Sequence, residues 1–182
     1  MPLPRYKFRE FRLYAKVGRV MGIIIRKYSD TDLGAMTKIW NHIVKEGQYF
    51  PQENNLSDKE AAAFFADQTF SGVAEVDGVI VGLYILHPNN IGRCGHIANA
   101  SYAVKTDQRG KHIGENLVMH SLEMAIESKF RIMQFNAVVA NNKGAISLYK
   151  KLGFKELGTI PGGFKMDDGT FVDIIPFYLE LS

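Results

Sequence analysis

Residues 132–140, "IMQFNAVVA", form a nearly unbroken apolar run between two helical segments. The run is too short for a buried helix, and its β-branched residues favour a strand. A continuously apolar strand is expected to be covered on both faces. That requires a central sheet with helices on either side, and the neighbouring segments supply them. Ile113, Leu117, Leu122 and Ala125 recur on one stripe of a predicted helix over 113–128. After the strand, "NKGAISLYKKL" reads as a short helix ended by Gly153.

The rest of the chain fits the same plan. Ile23–Arg26 reads as a strand, and Ser29, Asp30 and Asp32 offer capping side chains to a helix running to about Gly47. Pro51 and the asparagines of "YFPQENNLSD" mark a loop, and Ser57 with Glu60 forms a capping box for a second helix. Asp77-Gly78 joins two apolar runs as a hairpin, "HIANASYAV" is a further strand, and Asp168-Gly169 centres a last hairpin. The predicted order is strand, two helices, three strands, helix, strand, helix, two strands. This is a mixed α/β domain without internal repeats.

Charge divides the chain unevenly. Residues 1–20 carry six Lys and Arg against Glu10 alone, leaving sixteen basic and eighteen acidic residues in the remainder. The expected organisation is a basic extension over 1–20 and a single domain over 21–182. The slightly acidic body gives no reason to expect a nucleic-acid partner. No apolar run approaches the roughly 20 residues of a membrane helix. The one cysteine, Cys94, cannot form an intrachain disulfide, which fits a reducing, cytoplasmic setting. It shares no metal-ligand spacing with the five histidines, so no metal is expected.

The chemistry concentrates in "Val104-Lys-Thr-Asp-Gln-Arg-Gly-Lys-His-Ile-Gly114", which links a strand to a helix. A helix start presents unpaired N–H groups and the positive end of the helix dipole. Glycine lets an anion come close, and Arg109 and Lys111 add charge. Together these suit a pyrophosphate; a plain solvated basic loop is the alternative. The pattern is neither a P-loop nor a dinucleotide fingerprint.

"Arg109-Gly-Lys-His-Ile-Gly114" resembles the acetyl-CoA loop of the GNAT acetyltransferase superfamily, Arg/Gln-x-x-Gly-x-Gly/Ala, with His112 where glycine is usual. "Asn142-Lys-Gly-Ala145-Ile-Ser-Leu-Tyr149-Lys-Lys-Leu-Gly153-Phe154" is similar to the superfamily's second signature at every defined position. The resemblance implies a GNAT fold, a mixed and mostly antiparallel sheet flanked by helices. It also implies an N-acetyltransferase in which acetyl-CoA is held by Val104, Arg109, Gly110, Lys111, His112, Ile113, Gly114 and Asn142. Asn142 is equally suited to a helix N-cap. Tyr149 becomes the general acid that protonates the departing thiolate; its alternative is a core aromatic.

Asn99 and Asn136 interrupt the two adjoining strands. "Asn99-Ala-Ser-Tyr-Ala-Val" and "Phe135-Asn-Ala-Val-Val-Ala-Asn-Asn142" look like the fungal acetyltransferases of L-azetidine-2-carboxylate. That narrower likeness implies a small amino or imino acid acceptor bound by Asn99 and Asn136; bonds to neighbouring backbone are the alternative. The general base stays open among His96, Glu46 and an ordered water. A protein N-terminus or lysine as acceptor, and a module that binds acetyl-CoA without turnover, are the rival readings. By analogy with the superfamily, a homodimer is expected.

Overall fold

The structure, a computed structural model, describes residues 22–181; the expectation of an extension over 1–20 lies outside them. Strand β1 (Ile23–Lys27) leads to helices α1 (Leu33–Glu46) and α2 (Asp58–Ala66). Strands β2 (Phe70–Val76), β3 (Val79–Pro88) and β4 (Ile97–Val104) follow, then α3 (Ile113–Glu127), β5 (Ile132–Val139) and α4 (Lys143–Lys151). The chain closes with β6 (Lys155–Glu156), β7 (Ile160–Lys165) and β8 (Phe171–Glu180). The sheet order is β1-β2-β3-β4-β5-β8-β6, with β7 also on β8. Every pair is antiparallel except β4–β5.

Local chemistry sets the element ends. Asp77 and Gly78 both take positive φ, 50° and 77°, the pair that a two-residue hairpin turn of matching twist requires. Gly47 ends α1 in the left-handed region. The Ser57–Glu60 capping box forms, with the Ser57 amide donating to Glu60 Oε2 at 2.8 Å. One expected strand is divided. Chain beyond Phe154 pairs with β8 at Lys155–Glu156, leaves it, and returns as β7, so β8 is bordered by two short strands.

Helices α1 and α2 cover one face of the sheet around Trp40, Phe65, Val73, Leu83 and Ile85. Helix α3 covers the other around Leu117, Leu122, Tyr84, Phe135 and Phe177. Burial on both faces belongs to β3, where residues 80–86 are all buried. On β5 the expectation of two-sided burial fails at mid-strand: Met133 and Phe135 are buried, whereas Gln134 is half-buried and Asn136 exposed. The cause lies in the pairing. β4 and β5 are joined only at Ile97–Ile132 and Ala98–Met133, then diverge. A register shift between Phe135 and Val138 puts an extra residue into β5 opposite β8. Such a bulge bends its strand and opens pairing, often next to a functional site.

A buried carboxylate ties β1 to the start of α1. Asp32 accepts from Arg26 at 2.7 and 3.0 Å and from the Ser29 amide at 2.8 Å. Those bonds, Arg26 first, lower its pKa from 3.8 to about 2. A depressed carboxylate stabilises the fold above its unfolded pKa and loses that contribution as pH falls through the folded value. Asp32→Asn is therefore expected to cost about 2 kcal/mol at neutral pH. The deficit should shrink between about pH 4 and pH 2 in urea titrations at each pH. A pH-independent deficit would assign the loss to packing instead.

Candidate active site

The divergence of β4 and β5 opens a cleft of about 470 Å³ between the start of α3 and the start of α4. Val104, Arg109, Gly110, His112, Ile113, Gly114, Asn142 and Tyr149 all line it. Lys111 does not; its ammonium donates to Gln108 Oε1 at 2.9 Å. Ile43 and Tyr49 form the wall on the α1 side.

The end of the cleft at the start of α3 is made largely of backbone. The N–H groups of residues 110–115 donate to no group among the described residues, and the first bond of α3 runs from Asn116 to the His112 carbonyl. Orphan amides at a helix N-terminus make an anion site. Gly114 has an ordinary φ, and a Cβ placed there would meet only Val104 Cγ2, at 4.0 Å. Nothing in the fold demands glycine at this point, and the space beside it is open. His112 has φ 60°, in the left-handed region where histidine is among the tolerated side chains. Its ring is anchored by Nδ1 at 3.1 Å from Glu115 Oε2. Glu115 also accepts from Lys151 at 2.6 Å, which balances a carboxylate lining an anion site.

The other end is aromatic. Tyr149 is 9% exposed and packs against Phe135, Phe154 and Phe177, with ring centroids 4.5, 5.5 and 5.8 Å away. Among the described residues its hydroxyl has no hydrogen-bond partner, and no polar side-chain atom is both buried and unpartnered. The oxygen therefore opens onto the cleft that Tyr149 lines. Burial pushes its pKa well above the ordinary tyrosine value, so the proton stays on at physiological pH. Tyr102, from β4, lines the same cleft, but its hydroxyl is taken by Ser121 at 2.7 Å. Ser121 spends its own proton on the Val118 carbonyl at 2.6 Å, so Tyr102 is the donor. Asn142 caps α4, its Oδ1 accepting from the Ala145 amide at 3.1 Å while the residue also faces the cleft.

The two strand asparagines stand elsewhere. Neither lines the cleft. Asn99 alternates with Ala98 and Ala100, which pack toward α3, so it faces the α1–α2 side, as does Asn136 beside Phe135. Asn136 forms a reciprocal amide pair with Asn89 at 2.6 and 3.1 Å and accepts from Gln134 at 3.0 Å. Asn99 Oδ1 accepts from the Ala100 amide at 2.8 Å. The bases suggested by sequence also fall outside: His96 is exposed, and Glu46 is bound to Arg109 at 2.9 Å. Tyr49, Tyr102 and Glu115 are cleft residues that sequence reasoning missed. Tyr102 carried a readable signal, a polar-tipped aromatic two residues before the glycine loop.

The profile of the Acetyltransferase (GNAT) family matches residues 34–154, which includes the whole cleft-forming unit from β4 to α4. The chain belongs to the GNAT acetyltransferase family. It is 28% identical over 145 residues to N-acetyltransferase aca1 of Schizosaccharomyces pombe, covering 70% of this chain and 69% of that protein. It is 33% identical to an N-alpha-acetyltransferase of Sulfurisphaera tokodaii, covering 73% and 80%. A phosphinothricin N-acetyltransferase of Alcaligenes faecalis is 26% identical, covering 83% and 79%. The GCN5-related N-acetyltransferase structure from Kribbella flavida superposes with a TM-score of 0.80 at 29% identity, over 87% of this chain and 98% of that one. A phosphinothricin acetyltransferase from Sinorhizobium meliloti in complex with AcCoA shares the fold, with a TM-score of 0.82 at 22% identity over 88% and 89%. The GNAT fold expected from sequence is the fold observed, an open and mostly antiparallel sheet between helices. Among the described residues no helix is long and apolar enough to cross a membrane, and no cluster of three metal-ligating side chains occurs.

Within this family setting Gly114 becomes testable. Gly114→Val should put two methyl groups into the space beside the orphan amides and weaken acetyl-CoA binding at least about tenfold, or 1.4 kcal/mol. Calorimetric titration giving the wild-type affinity would remove the cradle.

Proposed function

We propose that this chain transfers the acetyl group of acetyl-CoA to the amine of a small amino or imino acid, in the cytoplasm. The carrying observation is the cleft itself, with unpaired N–H groups at one end and an unpartnered, proton-holding Tyr149 hydroxyl at the other. The pyrophosphate lies against residues 109–114, with Val104 and Asn142 along the pantetheine arm. The domain responsible is 21–182, with 1–20 as an extension to it.

The chemistry is direct. Among the described residues no cysteine or serine lines the cleft, and Cys94 is exposed on the β3–β4 loop, which argues against an acyl-enzyme intermediate. The acceptor nitrogen attacks the thioester carbonyl carbon, and the C–S bond breaks. Tyr149 donates its proton to the sulfur, and the nitrogen sheds one to water. The acceptor comes from the sheet face opposite α3, the side on which Asn99 and Asn136 stand, through the gap between β4 and β5. For Asn136 to hold a carboxylate or amine, it exchanges its pairing with Asn89 for the acceptor. A second cleft, about 770 Å³, adjoins this side between residues 44–55 and the β7–β8 turn. Its walls carry Lys45 and Lys165 together with Glu53 and Asp167, both signs of charge that a zwitterionic amino acid presents.

The relatives named for phosphinothricin support a small amino-acid acceptor, as does the azetidine-2-carboxylate likeness of the two strand motifs. The test is release of free thiol from acetyl-CoA with a panel of amines. Turnover is expected with proline analogues or phosphinothricin. Release only with peptides would overturn the acceptor class, and binding without release would overturn the enzyme.

A further inference from the structure

The loop that opens α3 already holds an anion of its own. Glu46, the last residue of α1, takes Arg109 Nη2 on Oε2 at 2.9 Å. Its Oε1 accepts from Thr106 at 3.1 Å and lies 3.4 Å from His42 Nε2. A carboxylate at a helix C-terminus faces the negative end of the dipole, so it gains from a cation there. Among the described residues the remaining Arg109 donors meet no acceptor, and the guanidinium lies 5.9 Å over the Tyr49 ring. Arg109 and Tyr49 line the cleft, whereas Glu46 stands behind them.

We infer that Glu46 is a stand-in for the coenzyme phosphate: it holds Arg109 against the cleft wall in the free protein and competes with the pyrophosphate for that guanidinium. The inference rests on the acetyl-CoA reading above. Glu46 is thus a positioning residue, acting on the coenzyme through Arg109. Thr106 and His42 keep its carboxylate in place when Arg109 turns to the phosphate. The same competition favours departure of free CoA after transfer, because Glu46 recaptures the cation.

The sign of the effect separates this role from that of a structural strut. Glu46→Gln keeps the shape and removes the charge. CoA should then bind about three- to fivefold more tightly, the range open to a partly exposed ion pair, by calorimetric titration. S-acetylpantetheine, which has no phosphate, should bind both proteins alike. On an Arg109→Ala background the Glu46→Gln gain should largely vanish. Unchanged or weaker CoA binding in a variant that melts normally would overturn the inference, as would an equal change for both ligands. Failure of the wild-type protein to bind CoA would remove the coenzyme reading and this inference together; binding without the tightening would remove this one alone.

Discussion

Tyr149→Phe should lower kcat by roughly 10²-fold or more while leaving acetyl-CoA affinity nearly unchanged. Phenylalanine keeps the packing against Phe135, Phe154 and Phe177 and deletes only the hydroxyl that opens to the cleft. Burial raises the Tyr149 pKa well above its ordinary value. In water the thiolate of a thiol of pKa about 8.5 would not take a proton from so weak an acid. On the proposed mechanism, however, the departing thiolate would share the apolar surroundings of Tyr149, where desolvation raises its basicity as well. The two proton affinities approach each other, and donation begins as a hydrogen bond that strengthens as charge builds on sulfur. Single-turnover measurements with a saturating acceptor isolate this step. Full kcat in Tyr149→Phe would return Tyr149 to the core as an ordinary aromatic.

Trp40→Ala should destabilise the fold by about 3–5 kcal/mol, the cost of deleting a large ring from a packed core. Trp40 is 1% exposed, with Phe50, Phe64 and Phe65 at ring-centroid distances of 4.6, 4.9 and 6.0 Å. It is the joint between α1, α2 and the loop that leaves α1, so it supports the wall that carries Ile43, Glu46 and Tyr49. Urea unfolding measures the loss. A change below about 1 kcal/mol would mean that the cluster collapses into the gap, since the cost depends on how far a site can relax.

Much of the fold was legible because its signals are local. The Asp77-Gly78 hairpin, the Ser57–Glu60 capping box and the Gly47 stop depend on φ values and hydrogen bonds within a few residues, so their residue types report them directly. The cradle is of the same kind. A strand, a glycine-bearing basic loop and an amphipathic helix in succession must place orphan amides at the helix start. Tyr149 was readable as a candidate only through the resemblance of residues 142–154 to the superfamily's second signature.

What depends on partners distant in sequence was not legible. The run at 132–140 reads as a strand covered on both sides, but its cover is decided by where β4 leaves it and by the bulge against β8. Asn99 and Asn136 look alike as polar interruptions, yet strand alternation turns both away from the coenzyme cleft, and Asn89, 47 residues before Asn136, takes its amide. Arg109 reads as a free phosphate ligand until α1 brings Glu46, 63 residues earlier, against it. By itself the sequence determined most of the order of elements, the family signature and the orphan amides at the start of α3, because each follows from neighbours along the chain. Only the tertiary structure decided which side chains face the cleft and which charges are already paired, because those are set by contacts between strands and helices that the linear order does not specify.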